Sequence, residues 1–209
     1  TDIDRVSKVS KGFRDGLQIG NDKSITQDNT YDMNSISNFL VGAYNDVAGT
    51  GLNNSLFLDG TISEILIFNK SLTENEFVKV HYYLSTKWGL EATVDSDGDG
   101  IVDSLDEGED NNSGNSSTPT PDHEFMFHGA TALDGLANTY DSSITVTNYG
   151  ATLSSDGAVF DGVDDYLSLT PWEFGGPTTI EMYINFTDLD IDHQLVLHFL
   201  NNNSDPNSN

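Results

Sequence analysis

The clearest pattern in the chain is the alternation of apolar and more polar positions over residues 179 to 186. The apolar residues occupy every second position: Ile180, Met182, Ile184 and Phe186. A two-residue period is typical of an antiparallel strand with one face in a core and the other face polar. Residues 157 to 169 predict two shorter strands around Asp161-Gly162, and residues 194 to 200 continue the β pattern.

Strands are also predicted earlier in the chain. Residues 56 to 58 and 62 to 68 flank Asp59-Gly60, a dipeptide that is typical of turns. The apolar run from 65 to 68 is short and contains β-branched residues, which favours a strand buried on both faces. Short strands separated by Gly, Asp and Asn turns predict an all-β protein, a sandwich or jelly roll.

One helix is predicted between Thr73 and Gly89. Thr73 and Glu76 have the spacing of a capping box, and Gly89 is placed to end the helix. The apolar residues between them recur at intervals of three and four: Phe77, Val80, Leu84 and Trp88. Such a stripe predicts a helix that packs on a sheet.

Composition divides the chain into three parts, residues 1–92, 93–121 and 122–209. The middle part has three large apolar residues after Asp95: Ile101, Val102 and Leu105. Burial of these three side chains does not offset the conformational entropy that is lost when the segment becomes ordered. This part therefore needs another source of free energy to become ordered. Residues 111 to 121 are rich in Ser, Asn and Pro and predict a flexible linker.

The chain is strongly acidic, with 34 Asp and Glu against 8 Lys and Arg and a formal charge of −26. Binding to nucleic acid or to anionic lipid needs a basic patch, so we expect cations as partners and neither nucleic acid nor a membrane. The apolar runs are far shorter than the ~18 to 20 residues of a membrane span, and no signal segment opens the chain. The start at Thr1 and the Asn-rich end lead us to expect a piece of a longer polypeptide.

The most specific motif is residues 95 to 106, here named the acidic loop. It contains five aspartates: Asp95, Asp97, Asp99, Asp103 and Asp106. A short loop can wrap a hard divalent cation with oxygen ligands at about 2.3 to 2.6 Å if carboxylates alternate and a glycine lies at the sharp bend. The first three aspartates alternate in this way, and Gly100 has the position of the bend.

Calcium is the ion that the acidic loop predicts. The predicted ligands are oxygen donors at loop spacing: Asp95, Asp97, Asp99, Ile101 through its carbonyl, Asp103 directly or through water, and Asp106. A set this rich and flexible suits the large coordination number of Ca²⁺ better than the strict octahedron of Mg²⁺. Because clustered carboxylates repel one another, we expect the loop to be ordered only with the metal bound.

The spacing of the five aspartates resembles the calcium-binding thrombospondin type 3 repeat of bacterial proteins. The animal form of that repeat also carries Cys, which this chain lacks. The loop departs from an EF-hand, because the twelfth position is Asp106 where an EF-hand has a bidentate Glu. The resemblance implies a calcium-binding connector.

The flanking parts resemble laminin G-like, concanavalin A-like jelly-roll domains. Residues 160 to 167 and 178 to 184 look like the opening of such a domain. Residues 58 to 68 and 83 to 90 look like its closing strands and last helix. The implied fold is a concanavalin A-like β-sandwich, in segments, with one short helix and a calcium-binding linker loop.

The resemblance also implies an order of domains. Residues 1–92 would be the C-terminal part of one jelly-roll domain, 93–121 the calcium-binding repeat and linker, and 122–209 the N-terminal part of a second domain. Either part alone leaves apolar faces and strand edges uncovered. A further hypothesis is therefore that the two flanks pair with each other as a circularly permuted sandwich.

No catalytic motif is evident, so we expect a binding protein and not an enzyme. Glu181 has no carboxylate at the spacing of a glycosidase pair, Asp164-Asp165 is interpreted as a turn, and the five histidines lack zinc-site spacing. The patterns and resemblances indicate a calcium-binding, lectin-like recognition or adhesion module of a secreted or cell-surface protein, which binds glycans or extracellular proteins. Two alternatives stay open: an ancillary module of a carbohydrate-active enzyme or protease, and a structural spacer.

Overall fold

The computed structural model describes residues 2–4, 9–24, 39–44, 56–106, 117–172, 177–187 and 194–199. In chain order these residues form β1 (Asp2–Asp4), β2 (Val9–Arg14), β3 (Leu17–Ser24), β4 (Phe39–Val41), β5 (Asp59–Phe68), α1 (Glu74–Trp88), β6 (His123–Met126), β7 (Val146–Tyr149), β8 (Thr152–Ser154), β9 (Gly157–Asp161), β10 (Tyr166–Leu169), β11 (Thr178–Phe186) and β12 (Leu197–Phe199). The strands form antiparallel sheets. The predicted all-β class with one helix is confirmed, and the jelly-roll topology stays a prediction.

The chain divides into two compact units. Unit 1 consists of Thr1–Gln27, Leu66–Asp122 and Gly176–Tyr183, and unit 2 consists of Asp28–Ile65, His123–Gly175 and Ile184–Asn209. Each unit contains chain from both sides of the acidic loop, as the hypothesis that the two flanks pair requires. The predicted domain boundaries and the assignment to two partial domains stay predictions.

Each unit has its own set of paired strands. In unit 1, β3, β2, β1 and β11 are successive neighbours, and in unit 2, β5, β9 and β8 are successive neighbours. A second sheet in unit 2 has the order β12-β4-β10-β7. Within the described residues, no helix combines the length and the apolar character that crossing a lipid bilayer requires.

A two-residue turn, Asp15-Gly16, joins β2 to β3 in unit 1. Both residues have positive φ, 53° and 83°. Two such residues form the hairpin turn whose twist matches that of the flanking strands. Arg14 and Leu17 pair directly across the turn, so the turn defines the register of this hairpin.

The predicted helix is confirmed as α1. Its N-cap is Thr73, whose side chain accepts a hydrogen bond from Glu76 N while the Glu76 carboxylate accepts one from Thr73 N. Gly89 ends the helix with φ 69°. One face of α1 joins the apolar cluster of unit 1, which contains Leu66, Phe68, Leu72, Phe77, Val80 and Leu84. The helix therefore packs on the end of β5, as its apolar stripe predicts.

The core of unit 2 draws on both flanks of the acidic loop. Its most deeply buried apolar residues include Val41, Leu58, Ile62, Ile65, Phe125, Phe127, Phe160, Leu167 and Leu169. Burial of a side chain of this size contributes about 1.5 to 3 kcal/mol. Neither flank alone provides this set of residues, so the core of unit 2 requires both.

The turn predicted at Asp59-Gly60 is wrong, because both residues belong to β5. They pair with Asp161 and Phe160 of β9. A β-carbon at Gly60 would lie only 2.6 Å from the backbone oxygen of Asn185 in β11. The glycine thus permits a close approach of two strands, and it does not reverse the chain.

The strand predicted at 179 to 186 is confirmed as β11. The face that the alternation predicts to be polar is, however, in contact with other side chains. Glu181 is 8% exposed, and its Oε2 lies 3.6 Å from Nε2 of His81 in α1. Tyr183 stacks on Trp88 at the end of the same helix, with ring centroids 4.9 Å apart. The helix therefore covers the face that the sequence pattern predicts to be polar.

The chain contacts β5 in unit 1 again at Asp122. Asp122 N donates to Ile67 O (2.9 Å), and Asp122 Oδ2 accepts a hydrogen bond from Asn69 N (2.7 Å). The acidic loop belongs to the same unit. The described residues on either side of segment 107–116 are therefore both part of unit 1.

Candidate metal-binding loop

The acidic loop begins shortly after α1 and returns to its own starting point. Val94 N donates to Leu90 O (3.0 Å), and Val94 is buried. Asp103 N then donates to Val94 O (2.8 Å), and Ser104 N donates to Glu91 O (2.8 Å). These hydrogen bonds close the loop at its base.

The first half of the loop is folded around the carboxylate of Asp95. This residue is only 7% exposed, and its Oδ1 and Oδ2 accept hydrogen bonds from Gly98 N (2.8 Å) and Gly100 N (2.9 Å). Gly98 and Gly100 have φ of 77° and 96°, a backbone conformation that favours glycine. The bend predicted at Gly100 is therefore present. A carboxylate oxygen that accepts one hydrogen bond still has a lone pair for a cation.

Asp97 and Asp99 are held by the same local geometry. Asp97 Oδ1 accepts a hydrogen bond from Asp99 N (3.1 Å), and Asp99 Oδ1 accepts one from Ile101 N (2.8 Å). Each carboxylate thus bonds to the backbone two residues further along the chain, as aspartates in turns commonly do. Both aspartates are exposed, so a cation from solution can reach them.

Three carboxylates converge in this loop. One oxygen from each of Asp95, Asp97 and Asp99 lies within 4.8 Å of the other two. Two oxygens that bind the same Ca²⁺ at about 2.3 to 2.6 Å can be at most about 5 Å apart. The three residues therefore fit a common cation of this size.

Asp103 has a different environment from these three residues. Its Oδ1 accepts a hydrogen bond from Ser96 N (2.8 Å), and its Oδ2 accepts one from Ser96 Oγ (2.9 Å). Asp103 is 7% exposed and Ser96 is 3% exposed. The hydrogen bonds link the two halves of the loop, and Asp103 is not among the three converging carboxylates.

The two remaining predicted ligands lie at the end of the loop. Ile101 is 45% exposed and donates its N–H to Asp99. Asp106 has a partly buried side chain, and its N–H donates to Val102 O (3.2 Å). The structure thus brings together Asp95, Asp97 and Asp99, while ligation by Ile101, Asp103 and Asp106 stays a prediction.

A second acidic group in unit 2 consists of Asp161, the last residue of β9, and Asp164 and Asp165, which precede β10. One oxygen of each residue is within 4.8 Å of the others. Asp165 Oδ2 accepts a hydrogen bond from Asp161 N (3.1 Å), and Asp161 Oδ1 accepts one from Val163 N (2.9 Å). The sequence pattern predicts only a turn at Asp164-Asp165, although three aspartates in five residues beside a glycine are a signal for a cation site.

The second acidic group is electrostatically unfavourable when it is fully ionised. Burial raises the pKa of the Asp165 carboxyl, and the negative charges of Asp161 and Asp164 act in the same direction, against a hydrogen bond from Asp161 N that lowers it. A bound cation would favour the ionised form of all three groups.

The described residues thus contain two acidic groups that could hold a metal ion, one in each unit, and their geometry does not define which metal. The first group lies in a closed loop with a glycine bend, whereas the second lies at the end of β9 and in the short connection to β10. Comparison of the chain with protein-family models, curated proteins and solved structures finds no match.

Proposed function

We propose that the acidic loop binds Ca²⁺ and that the ion orders it. The observation that carries this proposal is the convergence of oxygens from Asp95, Asp97 and Asp99 within 4.8 Å of one another. Three carboxylates at such distances repel one another unless a positive charge lies among them. The chain has no Lys or Arg after Lys87, so the loop has no cationic residue of its own to supply that charge.

Calcium fits the loop better than magnesium does. Mg²⁺ requires near-ideal octahedral geometry at about 2.0 to 2.1 Å and usually keeps several waters, whereas Ca²⁺ accepts a flexible set of six to eight oxygens. The loop offers both carboxylates and backbone carbonyls over a short span. Such a set favours the larger ion.

The calcium proposal is tested by titrating Ca²⁺ and Mg²⁺ separately into chelator-treated protein in a calorimeter. We expect Ca²⁺ to bind with a dissociation constant of about 10⁻⁴ to 10⁻³ M, the range of extracellular modules, and more tightly than Mg²⁺. Hydrogen exchange should show that chelator loosens residues 95–106 while the amides of β11 stay protected. Absence of a calcium-dependent heat, or tighter binding of Mg²⁺, would contradict the proposal.

The wider function that we propose is lectin-like recognition or adhesion in a secreted or cell-surface protein. The all-β fold and the resemblance to laminin G-like domains support it. An extracellular location is supported by the calcium argument, because cytosolic free calcium is too low to fill a weak site of the extracellular type.

An aromatic pair on unit 2 favours glycans as ligands. Tyr149 and Tyr166 stack with ring centroids 4.4 Å apart and an interplanar angle of 5°. Tyr149 is 45% exposed, which leaves aromatic surface in contact with solvent. A rigid ring with an apolar face and a polar hydroxyl matches the apolar face and hydroxyl groups of a sugar.

Glycan-array binding by the calcium-loaded protein, compared with Tyr149→Ala, tests this part of the proposal. We expect the substitution to weaken binding about tenfold, because the stacking surface is lost. Tyr140→Ala is the matched control, since Tyr140 is also in unit 2 and is 52% exposed. Failure of the wild-type protein to bind any glycan would contradict glycan recognition, and an equal effect of the two substitutions would contradict the role of Tyr149.

A further inference from the structure

The acidic loop contacts the turn of the β2–β3 hairpin within unit 1. A β-carbon built at Gly16 would overlap the backbone oxygen of Asp95, and it would lie 2.8 Å from the carbonyl carbon of Asp95 and 3.3 Å from Cα of Ser96. The side chain of the next residue, Leu17, has its Cδ2 3.9 Å from the position of a β-carbon at Gly98. Two adjacent residues of the hairpin therefore cover the backbone of the first half of the loop.

We propose that this turn positions the acidic loop for Ca²⁺ and that Gly16 is the positioning residue, an inference that rests on the proposed function. The contact is made at Asp95, the first of the three converging carboxylates. Because the Asp95 carboxylate accepts the N–H groups of Gly98 and Gly100, displacement of its backbone displaces the rest of the loop. A side chain at position 16 would cause that displacement without changing any ligand atom.

The same contact makes the hairpin depend on the ion. All eight residues of β3 are exposed, so this strand has little buried surface of its own to keep it paired. Gly16 is less exposed than the residues on either side of it, which is consistent with cover from the loop. Coupling between two sites is reciprocal in binding free energy, so an ion that orders the loop also stabilises the turn.

The inference is tested with Gly16→Ala and its matched control Gly20→Ala. Both glycines have positive φ, 83° and 71°, so an added methyl group introduces similar backbone strain at either position. A β-carbon at Gly20 would have no heavy atom within 4 Å, whereas one at Gly16 would meet Asp95. The comparison therefore isolates the contact with the loop from the strain of the substitution.

We expect Gly16→Ala to weaken calcium binding in calorimetry by at least about tenfold relative to Gly20→Ala. Hydrogen exchange provides the second measurement. In wild type and Gly20→Ala, Ca²⁺ should slow exchange at the hairpin pairs Gly12–Ile19 and Phe13–Gln18, and this slowing should be lost in Gly16→Ala. If the two variants have equal calcium affinity and equal hairpin protection, the positioning role of Gly16 is wrong. Calcium binding by wild type would show in that case that the proposed calcium site itself still holds. Absence of calcium binding by wild type would overturn the proposed function and this inference together.

A second pair of variants keeps the test decisive if Gly16→Ala does not fold. Leu17 and Ile19 are both about half exposed, 49% and 52%, and both belong to β3. Leu17 approaches Gly98 of the loop, whereas Ile19 contacts Gly12 of the neighbouring strand. Leu17→Ala should weaken calcium binding more than Ile19→Ala does, and equal affinities would count against the inference.

Discussion

Joint replacement of Asp97 and Asp99 by Ala is expected to weaken calcium binding by at least about 100-fold. Two of the three converging carboxylates are removed, and the affinity of such loops depends on the number of charged ligands, with each lost ligand expected to cost about tenfold. Both side chains are exposed, so the stability of the protein in chelator should change little. Calorimetry on chelator-treated protein measures the affinity, and thermal unfolding in chelator measures the stability.

Glu74→Ala combined with Asp156→Ala is the control for the loss of two negative charges. Both residues are exposed and lie outside the two acidic groups. This variant should bind calcium as wild type does, because neither residue belongs to the three converging carboxylates and salt screens the charges of exposed residues. If the Asp97 and Asp99 double variant binds calcium as tightly as wild type does, these two residues are not calcium ligands.

His81→Ala is expected to lower the free energy of unfolding by about 3 kcal/mol. His81 and Glu181 are 7% and 8% exposed, and Nε2 and Oε2 are 3.6 Å apart. The substitution removes a partner of a buried carboxylate and also leaves a space beside Phe13 and Phe77, whose ring centroids each lie 5.7 Å from that of His81. Urea unfolding measures the effect, and His128→Ala, at an exposed histidine, should change stability by less than about 0.5 kcal/mol.

The same pair predicts how stability depends on pH. Burial alone would raise the pKa of the Glu181 carboxyl, whereas the hydrogen bond and the charge of His81 lower it, so the pKa in the folded protein is lower with His81 present than without it. A carboxyl whose pKa is lower in the folded than in the unfolded state adds stability above the unfolded pKa, and this stability is lost as pH falls through the folded pKa. Acidification below pH 4.5 should therefore destabilise wild type more steeply than His81→Ala. Parallel melting curves for the two proteins across this range would contradict a role for His81.

Elements with short-range signals could be predicted from the sequence. The caps of α1, Thr73 and Gly89, lie within the same window as its apolar stripe, so the helix could be predicted with its bounds. The surroundings of β11 could not be predicted, because the helix that covers Glu181 comes from a distant part of the sequence. The Asp59-Gly60 pattern predicts a turn wrongly for the same reason, since the strand that approaches Gly60 is distant in sequence.

The residues of the candidate site also divide into those with a short-range sequence signal and those without one. Asp95, Asp97 and Asp99 could be predicted together because alternate residues of a tight loop face one centre. Asp103 has the right spacing for a ligand, but the hydrogen bonds from Ser96 to its two oxygens depend on how the loop closes. The contact with Gly16 joins distant segments and has no local signal, although Asp15-Gly16 is by itself a recognisable hairpin dipeptide.

The return of the chain to β5 at Asp122 limits the mechanical role that an ion in the acidic loop can have. An ion that fixes the distance between two domains must bind a segment that is attached to both of them. Here the chain on either side of segment 107–116 is attached to unit 1, so calcium would stiffen that unit from within and would not set the distance to a neighbouring module.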